Sequence, residues 1–482
     1  MAGQSHRTAL VTGSTGYIGR NLVEELASHG WAVKAVTRSA SKAEDQPWST
    51  RIVRDHGAEQ GPGPGAVEVV EADLSDAEAL EEAMRGVDAA WFLVHSMASG
   101  GDFAREDHEM AEAFAAAAER AGVSRIVYLG GLHPDGVELS DHLASRVDVG
   151  EILLDSAVPT AALQAGVVVG DGSESFAMLR HLSERLPGSV GPAWMSNEIT
   201  PISIRDVLFF LRAAADLPPE VNRAFDIGSP DTMPYSDMLR VYAQECLSVP
   251  RIAKTAPILN QRIAAWGIAF MTPVSQRMTV PLIGSLVHDT VVQERDLESL
   301  VGTPSGGLQG LREAIRLAVD GVDTGRWMRT VRRVGAGVAL TAVTGSLLTD
   351  PDSAWYRGLR KPSWQPPSAA FPLVWTALYA DIALVSALVI ADAQEKGDDD
   401  AARRYIRRLT GNLILNAGWT GLFFRARKPW LAAGGAAVLA ASSADLVRLA
   451  AQSSPERGAV LAPYAAWTAF ATALSGWIAR RN

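Results

Sequence analysis

The sequence predicts two folded parts in one chain: an α/β part with a doubly wound parallel sheet, and after it an all-α bundle of five transmembrane helices. Three observations predict this division. Short apolar strands alternate with amphipathic helices from Thr8 to about Leu300, which is typical of a parallel sheet. Charged residues are concentrated in the first two-thirds of the chain, whereas tryptophan and alanine-rich apolar runs are concentrated in the last third. A cluster of arginines precedes those apolar runs.

Length, charge and cysteine content narrow the class of protein. A chain of 482 residues is long for one domain, so two or three domains are expected. The net charge of -10 argues against nucleic acid as a partner. The one cysteine, Cys246, cannot form a disulfide within the chain and fits a reducing compartment. No cleavable signal pattern follows Met1, so we expect the α/β part to be cytoplasmic.

A glycine-rich turn marks the start of the α/β part. The apolar residues 9–12 predict a buried strand, and an amphipathic helix pattern follows the turn. Glycines allow a tight turn and a close approach to a pyrophosphate, whose charge the helix N-terminus stabilises. The order of strand, turn, helix and second strand predicts a Rossmann-like dinucleotide site. The residues expected to hold the nucleotide at this turn are Gly13, Ser14, Thr15, Gly16, Tyr17, Ile18 and Gly19.

Two residues at later strand ends bear on which dinucleotide binds. An NAD-preferring site carries an acidic residue after the second strand, whereas this chain has Arg38. A guanidinium there can pair with a 2'-phosphate, so NADP(H) is favoured over NAD(H); an exposed arginine without a ligand would give the same pattern. Asp73, at the end of the predicted third strand, is placed to meet the adenine edge.

The pattern after the second strand extends the parallel sheet. Residues 45–65 contain repeated glycine and proline and predict a surface loop. Strands are predicted at 67–74, 87–95 and 125–130, with a helix at 103–121. A substrate lobe is expected from about Ala165, with helices at 176–186 and 205–215.

Five motifs in the α/β part carry family information: Val94-His95-Ser96-Met97, Tyr128 with Gly130-Gly131, Ser140 to Arg146, Pro201 with Asp206, and Phe225 to Gly228 with Pro230. They resemble the atypical or extended short-chain dehydrogenase/reductase superfamily, in particular its NmrA-like, NAD(P)H-binding branch. The resemblance extends to about Leu300. It implies that this part binds NAD(P)H, with His95 beside the nucleotide.

The residues for proton transfer differ from those of the wider superfamily. A standard short-chain dehydrogenase carries a tyrosine and a lysine four residues apart on the helix after the fifth strand. At the matching positions this chain has His142 and Arg146, which still share one helix face. His142 could act as acid or base, and Arg146 could hold ribose or substrate, but arginine does not release a proton. Two interpretations stay open: an NAD(P)-dependent oxidoreductase or epimerase-like enzyme, or a domain that only binds nucleotide.

Apolar runs at 334–348, 371–391, 409–424, 429–450 and 459–478 predict five transmembrane helices, the shorter of them lengthened by flanking residues. Four arginines before the first run predict a basic linker at 321–333. Five spans place the two ends of this part on opposite sides, and the side shared with the α/β part carries more basic residues, which agrees with a cytoplasmic α/β part. The basic residues expected on that inner side are Arg326, Arg329, Arg332, Arg333, Lys396, Arg403, Arg404, Arg407, Arg408, Arg448 and Arg457.

Aromatic and proline residues are crowded between the first two apolar runs. Their order is Trp355-Tyr356, Leu359, Lys361-Pro362, Trp364, Pro366-Pro367, Phe371, Trp375 and Leu378-Tyr379. An aromatic belt at a membrane boundary would explain this composition but not the order. Further matches are Leu413 to Trp419, Phe423-Phe424, and Pro463-Tyr464 with Trp467. Over about the last 150 residues, this order resembles the tryptophan-rich sensory protein/translocator protein family (TspO/MBR).

The TspO/MBR resemblance implies a pocket for porphyrins, or for sterol-like ligands, within a five-helix bundle. At the matching positions, Trp375 and Trp467 would face each other across the pocket, Tyr356 and Trp364 would cover it, and Tyr379, Asn416 and Trp419 would line it. Aromatic rings suit a planar tetrapyrrole. The chain departs from the family at Ala369, usually tryptophan, and at Ser475, usually asparagine. No histidine or cysteine follows residue 350, so neither axial ligation of haem iron by these residues nor another metal site is expected.

Three functions are compatible with these parts, taken as residues 1–320, 321–333 and 334–482. The first is an integral membrane protein that binds a tetrapyrrole-like or other apolar small molecule and uses its cytoplasmic NAD(P)H-binding domain in redox sensing or regulation. The second is a membrane-anchored NADP-dependent oxidoreductase acting on an apolar substrate. The third is a nucleotide-regulated transporter. Membrane lipid is an expected partner, and the family resemblance makes a homodimer plausible.

Overall fold

The structure is a computed structural model that describes residues 7–53, 62–95, 103–186, 188–247, 252–256 and 261–482. It divides into two compact units. The α/β unit comprises Met1–Ala265 and Gln276–Val322, and the helical unit comprises Trp266–Ser275 and Asp323–Asn482. Residues 266–275 therefore lie in the helical unit, although the sequence pattern assigned them to the α/β part.

Seven parallel strands of the described residues form one sheet; from one edge to the other, they begin at Arg223, Thr160, Arg125, Ala89, Thr8, Ala32 and Val67. This order confirms the predicted Rossmann-like, doubly wound sheet. The strands, in chain order, are β1 Thr8–Val11, β2 Ala32–Thr37, β3 Val67–Glu71, β4 Ala89–Phe92, β5 Arg125–Gly131, β6 Thr160–Ala165, β7 Val168–Val169, β8 Gly188–Pro192, β9 Glu198–Ile199, β10 Ile202–Ser203, β11 Arg223–Ile227, β12 Met233–Pro234 and β13 Ile252–Ala256. The two outermost strands on one side, β6 and β11, were not predicted as strands.

Helices cover both faces of this sheet, and several begin at a capping side chain. Asp76 accepts hydrogen bonds from the backbone of Glu78 and Ala79, and Ser203 accepts one from Asp206, so free N–H groups at these helix starts are satisfied. The helices up to residue 318 are α1 Tyr17–Ser28, α2 Ala77–Met84, α3 Phe103–Ala121, α4 Asp141–Leu154, α5 Glu174–Arg185, α6 Ile204–Ala213, α7 Tyr235–Cys246, α8 Gln261–Met271, α9 Gln276–Leu286, α10 Asp296–Val301 and α11 Leu311–Ala318.

The apolar strands bury their side chains in two clusters, one on each side of the sheet. Trp91 on β4 is fully buried, and its indole N–H donates to the Leu211 carbonyl at 2.9 Å. The prediction of a surface loop at 45–65 is wrong in part: Pro47–Arg51 forms a 3-10 helix that buries Trp48 completely in the same core. Residues 54–61 of that prediction lie outside the described residues.

Six helices form the rest of the helical unit. They are α12 Arg326–Leu348, α13 Ala354–Gly358, α14 Ala370–Glu395, α15 Asp399–Thr420, α16 Pro429–Ser453 and α17 Pro455–Arg481, and a π-helical turn, Gly421–Arg425, continues α15. The arginines of the predicted linker lie in the first two turns of α12. The five long helices contain 23, 26, 22, 25 and 27 residues, because polar flanking residues extend each apolar run.

By length and hydropathy alone, two of these helices are apolar enough to cross a membrane: Ala370–Glu395, with a mean hydropathy of 2.0, and Pro429–Ser453, with 1.4. The core of the unit consists mainly of aliphatic side chains from α14, including Ile382, Val385 and Leu388, which are fully buried. Leu446 of α16 and Leu461 of α17 belong to the same core.

Candidate functional site

The carboxyl ends of the parallel strands border a cavity of about 810 Å³ in the α/β unit. This is the edge of a doubly wound sheet at which ligands bind. The cavity brings together nearly all residues that the sequence assigned to nucleotide binding or catalysis. Those that line it are Gly13, Thr15, Gly16, Tyr17, Ile18, Gly19, Arg38, Asp73, His95, His142 and Arg146.

The glycine turn has the geometry that a phosphate cradle needs. Gly13 has a φ of 61°, and a Cβ atom there would lie 2.8 Å from the Leu93 carbonyl oxygen, so no other residue fits without strain. The Gly16 amide donates to the Gly13 carbonyl at 2.9 Å and closes the turn. Ser14 is the exception among the predicted residues: it is fully buried, and its hydroxyl donates to the Val36 carbonyl at 2.7 Å. Its side chain thus joins the turn to β2.

Positive charge is concentrated at the end of β2. Arg38 is exposed there, and Lys42, which sequence reasoning missed, lines the same part of the cavity with Ser39. Lys42 follows Arg38 by four residues, and this spacing of two basic residues could have identified it from the sequence. In the same cavity, hydrogen bonds from the Ser75 amide and hydroxyl lower the pKa of the Asp73 carboxyl, which is therefore charged at neutral pH.

His95 lies after β4 with its ring held at one nitrogen. Its Nε2 is 3.3 Å from the Leu129 carbonyl oxygen, and its ring packs edge-on against Tyr128. Burial, together with the positive charge of Arg146, lowers the pKa of His95 to about 3, so the ring is neutral. The other nitrogen, Nδ1, is buried and has no hydrogen-bond partner among the described residues, which a ligand in the cavity would supply. Ser96, the neighbour in its sequence motif, lies outside the described residues.

His142 and Arg146 enter the cavity from α4. The His142 ring is stacked on Phe103, with 4.2 Å between ring centroids and 12° between ring planes. Burial and, after it, the charge of Arg146 lower the pKa of His142, which favours a neutral imidazole. The hydroxyl of Tyr128 donates to the Arg146 carbonyl at 2.9 Å, and burial raises the pKa of that tyrosine. The lowered pKa favours an imidazole that can accept a proton from a bound molecule, although as a weaker base than free histidine.

Part of the cavity wall is apolar, and its residues lie outside the family motifs; they include the apolar stretch 281–286, for which the sequence left open whether it caps a pocket or lies against lipid. Met178 comes from α5, whereas α9 supplies Met278, Pro281, Leu282 and Leu286. Methionine side chains adapt to irregular apolar ligands. The cavity therefore combines cationic side chains at the end of β2 with an apolar lining from α5 and α9 and with the imidazoles of His95 and His142.

In the helical unit, four helices are joined by buried hydrogen bonds around two of the predicted ligand residues. The Tyr379 hydroxyl donates to Asn416 Oδ1 at 2.9 Å, and Asn416 Nδ2 donates to the Tyr464 hydroxyl at 3.3 Å. Tyr464 in turn donates to Asn412 Oδ1 at 2.6 Å, and Asn412 Nδ2 donates to Ser443 at 3.2 Å. These hydrogen bonds connect α14, α15, α17 and α16. The Asn416 side chain, which the sequence predicted to line a pocket, therefore joins helices to one another.

The other predicted ligand residues form aromatic groups at neighbouring places in the same unit. Trp375 lies 5.4 Å from Tyr379 and 6.5 Å from Tyr464, measured between ring centroids. Trp364 and Trp467 both contact Phe470, at 5.8 and 5.2 Å.

Tyr356 and Trp419 meet at the π-helical turn that follows α15. Their rings lie 6.3 and 6.0 Å from that of Phe423. The Lys361 ammonium lies over the Tyr356 ring at 3.7 Å. The indole N–H of Trp419 is buried and has no hydrogen-bond partner among the described residues. Tyr356 and Trp419 thus both contact Phe423, and the Trp419 N–H is a donor to which a ligand could bind.

A Rossmann-like cavity and an aromatic helical bundle in one chain define a membrane protein with an NAD(P)-binding domain. Residues 5–181 match the NmrA-like family, and residues 334–480 match the TspO/MBR family. The chain belongs to the TspO/MBR family through this helical region, and its N-terminal region is an NmrA-like NAD(P)-binding domain. TspO homologues are integral membrane proteins.

Two relatives illustrate the membrane match. The human translocator protein is 35% identical over 128 residues, which cover 27% of this chain and 75% of the relative. The tryptophan-rich sensory protein of Cereibacter sphaeroides is 33% identical over 147 residues, which cover 30% of this chain and 87% of the relative. Among solved structures, a triphenylmethane reductase from Citrobacter sp. covers 65% of this chain and 99% of its own, with a TM-score of 0.51 and 15% identity. That likeness concerns the fold alone.

Proposed function

We propose that this protein binds a tetrapyrrole-like or other apolar small molecule in its TspO-type bundle and couples this binding to a cytoplasmic NADP(H)-binding domain that acts in redox sensing or regulation. The observation that carries the proposal is the convergence of the glycine turn, Arg38, His95 and His142 on one cavity. A dinucleotide fits these residues because the turn leaves no room for a Cβ at Gly13 and because a nitrogen of His95 lacks a partner among the described residues.

The nucleotide would be held by groups with separate tasks. Backbone amides of the glycine turn and the N-terminus of α1 would bind the pyrophosphate. Arg38 and Lys42 would pair with a 2'-phosphate, and Asp73 would meet the adenosine end, which supports NADP(H) over NAD(H). The nicotinamide, which supplies hydride chemistry, would lie towards His95 and His142.

Nucleotide binding is tested by titrating the purified full-length protein in detergent with NADPH and with NADH, following nucleotide fluorescence. We expect saturable binding of both, tighter for NADPH. Equal affinities would contradict the assignment of Arg38, and no binding of either would contradict the proposal.

Ligand binding in the bundle is supported by the aromatic groups around Trp375 and Trp419. Protoporphyrin IX is the probe, because a planar macrocycle stacks on such rings and quenches their fluorescence. We expect saturable quenching that Trp375→Phe weakens. Trp430→Phe is the matched control, because Trp430 is 63% exposed and lies outside the predicted ligand residues. Absence of quenching in the unaltered protein would refute this ligand class.

The proposed topology has five spans, a cytoplasmic α/β unit and a C-terminus on the opposite side. Helices of 22 residues or more are long enough for a hydrocarbon core of about 30 Å at about 1.5 Å per residue. The test uses Cys246→Ser as background, with a single cysteine placed at exposed Arg481 or at exposed Lys396. An impermeant maleimide should label intact cells at residue 481 and not at residue 396. The reverse pattern would overturn the proposed orientation.

A second candidate function, an NADP-dependent oxidoreductase on an apolar substrate, is favoured by one observation. A neutral His142 lies in the same cavity as the glycine turn and an apolar wall, so a proton acceptor and space for an apolar molecule occur together. His142→Gln tests it: loss of NADPH turnover with unchanged NADPH affinity would support the enzyme. If turnover persists in this variant, His142 is not the proton-transfer group.

A further inference from the structure

A buried ion pair lies at one end of the helical unit. Arg457, in the first turn of α17, contacts Asp392, near the end of α14, at 2.6 Å, and their side chains are only 1% and 4% exposed. Burying two charges is costly unless the remaining hydrogen-bonding groups are also satisfied. Arg457 also donates from Nη1 to Ser453 at 2.8 Å. Two of its other donors bind a distant part of the chain.

These two donors of Arg457 bind residues Trp266–Ser275, which we call the inserted segment. Arg457 Nε donates to the Phe270 carbonyl at 3.2 Å, and Nη2 donates to the Thr272 carbonyl at 3.3 Å. Phe270 belongs to the apolar core of the helical unit and stacks on Trp266, and Thr272 is 1% exposed. The inserted segment precedes the TspO/MBR match, which begins at residue 334, so the family bundle alone does not account for it.

The inserted segment leads directly into the wall of the nucleotide cavity. Ser275 is its last residue, and Gln276 is the first residue of α9 in the α/β unit. Met278 and Leu282 of α9 line the cavity. Only the five residues 273–277 therefore separate Met278 from Thr272, whose carbonyl accepts a hydrogen bond from Arg457.

The same wall helix lies against the start of α4. A Cβ atom at Gly284 of α9 would lie 3.2 Å from the Ser140 hydroxyl oxygen, so the Gly284 backbone packs closely against the Ser140 side chain. Ser140 immediately precedes α4, which carries His142 and Arg146. A shift of α9 would thus alter both the apolar wall and the position of the helix that bears the cavity's polar groups.

We propose that Arg457 and Asp392 form a clamp that fixes the inserted segment in the bundle and thereby sets the position of α9 at the nucleotide cavity. This inference rests on the proposed function, since it makes the clamp the connection between the membrane ligand and the nucleotide. A ligand that moves the ends of α14 or α17 moves the Arg457 guanidinium, and the carbonyls it holds move with it. By linkage, nucleotide binding acts back on the bundle through the same groups.

The test compares two paired variants of the full-length protein in lipid nanodiscs. Asp392→Asn with Arg457→Met removes both charges, so neither is left buried without its partner. Asp445→Asn with Arg448→Met is the matched control, because this pair on α16 also forms an ion pair, at 2.8 Å, but Arg448 is 58% exposed. Arg457→Lys is the second test variant: it keeps a positive charge beside Asp392 but lacks the planar fork that reaches both carbonyls.

Hydrogen exchange of residues 266–286 is the first readout, with and without protoporphyrin IX. Losing two hydrogen bonds from a charged donor should speed exchange in α9 by roughly tenfold or more in the clamp variants. The control should exchange as the unaltered protein does. Protoporphyrin IX should change α9 exchange in the unaltered protein and not in the clamp variants.

NADPH affinity is the second readout, and it separates the clamp from the proposed function. We expect a several-fold weaker affinity in the clamp variants only. Faster exchange in the inserted segment, with unchanged exchange in α9 and unchanged NADPH affinity, would overturn the proposal. The clamp would then stabilise the inserted segment alone. If the unaltered protein binds neither NADPH nor protoporphyrin IX, the proposed function fails, whereas α9 exchange still decides whether the clamp holds the wall.

Discussion

Replacing Gly19 with alanine should weaken nucleotide binding by deforming the glycine turn. A Cβ atom at Gly19 would lie 2.8 Å from the carbonyl carbon of Gly13 and 3.0 Å from the Cα of Ser14, where ordinary contacts are 3.4 Å or longer. Both neighbours are backbone atoms, so no side chain can rotate away. Overpacking of this kind costs about 1–3 kcal/mol, which corresponds to an affinity about 5- to 150-fold lower if the turn moves when nucleotide binds.

The assay is NADPH titration of full-length protein, with Gly63→Ala as control. Gly63 lies in an exposed turn, and a Cβ atom there would meet no atom within 4 Å. The control should bind as the unaltered protein does. A Gly19→Ala variant that binds NADPH within about twofold of the unaltered protein would show that the turn relaxes freely, and would refute a rigid cradle.

Four further outcomes are expected. Arg38→Asp should raise the dissociation constant for NADPH about tenfold or more, with less change for NADH, in paired titrations. The folded pKa of His95 is about 3, so below about pH 6.5 the unfolded chain binds a proton there and the native state does not. The free energy of unfolding should therefore decrease as the pH is lowered from about 6.5 towards 3, and it should decrease less in His95→Gln. Urea unfolding at pH 7 and at pH 5 measures this difference. Asn416→Ala leaves Tyr379 without its acceptor and should cost about 1–3 kcal/mol, seen as a lower melting temperature in detergent. Asp76→Ala removes a helix cap and should cost about 0.5–2 kcal/mol in the same unfolding assay.

Local patterns predicted the α/β unit well where they were long or had a specific chemistry. The helix predicted at 103–121 is α3 with the same bounds, and Tyr17 begins α1 directly after the glycine turn. In contrast, β6 and β11 were missed, because short apolar stretches such as Thr160–Ala165 look the same in a strand and in a buried loop. The direction of the Ser14 side chain depends on a carbonyl of β2, twenty-two residues later, which spacing within the motif cannot show.

The bundle shows a different limit of sequence reasoning. Arg457 was assigned to the basic residues of the inner side, yet it is almost completely buried against Asp392. Both residues lie near helix ends, where a charge usually means solvent. Their burial depends on Phe270 and Thr272, more than a hundred residues away in the chain, so no periodicity in α14 or α17 could indicate it. Likewise, Tyr464 was recognised by its family motif, but its hydrogen bonds to Asn412 and Asn416 require the fold.

The nucleotide cavity carries charges of both signs. Arg38 and Lys42 at one end favour phosphates, and Arg146 places a further positive charge next to two imidazoles whose pKa it helps to lower. Acidic side chains line the cavity as well, namely Asp73, Glu106, Asp107 and Glu174. A second ligand beside the nucleotide would therefore meet charges of both signs as well as the apolar side chains of Met178 and Met278.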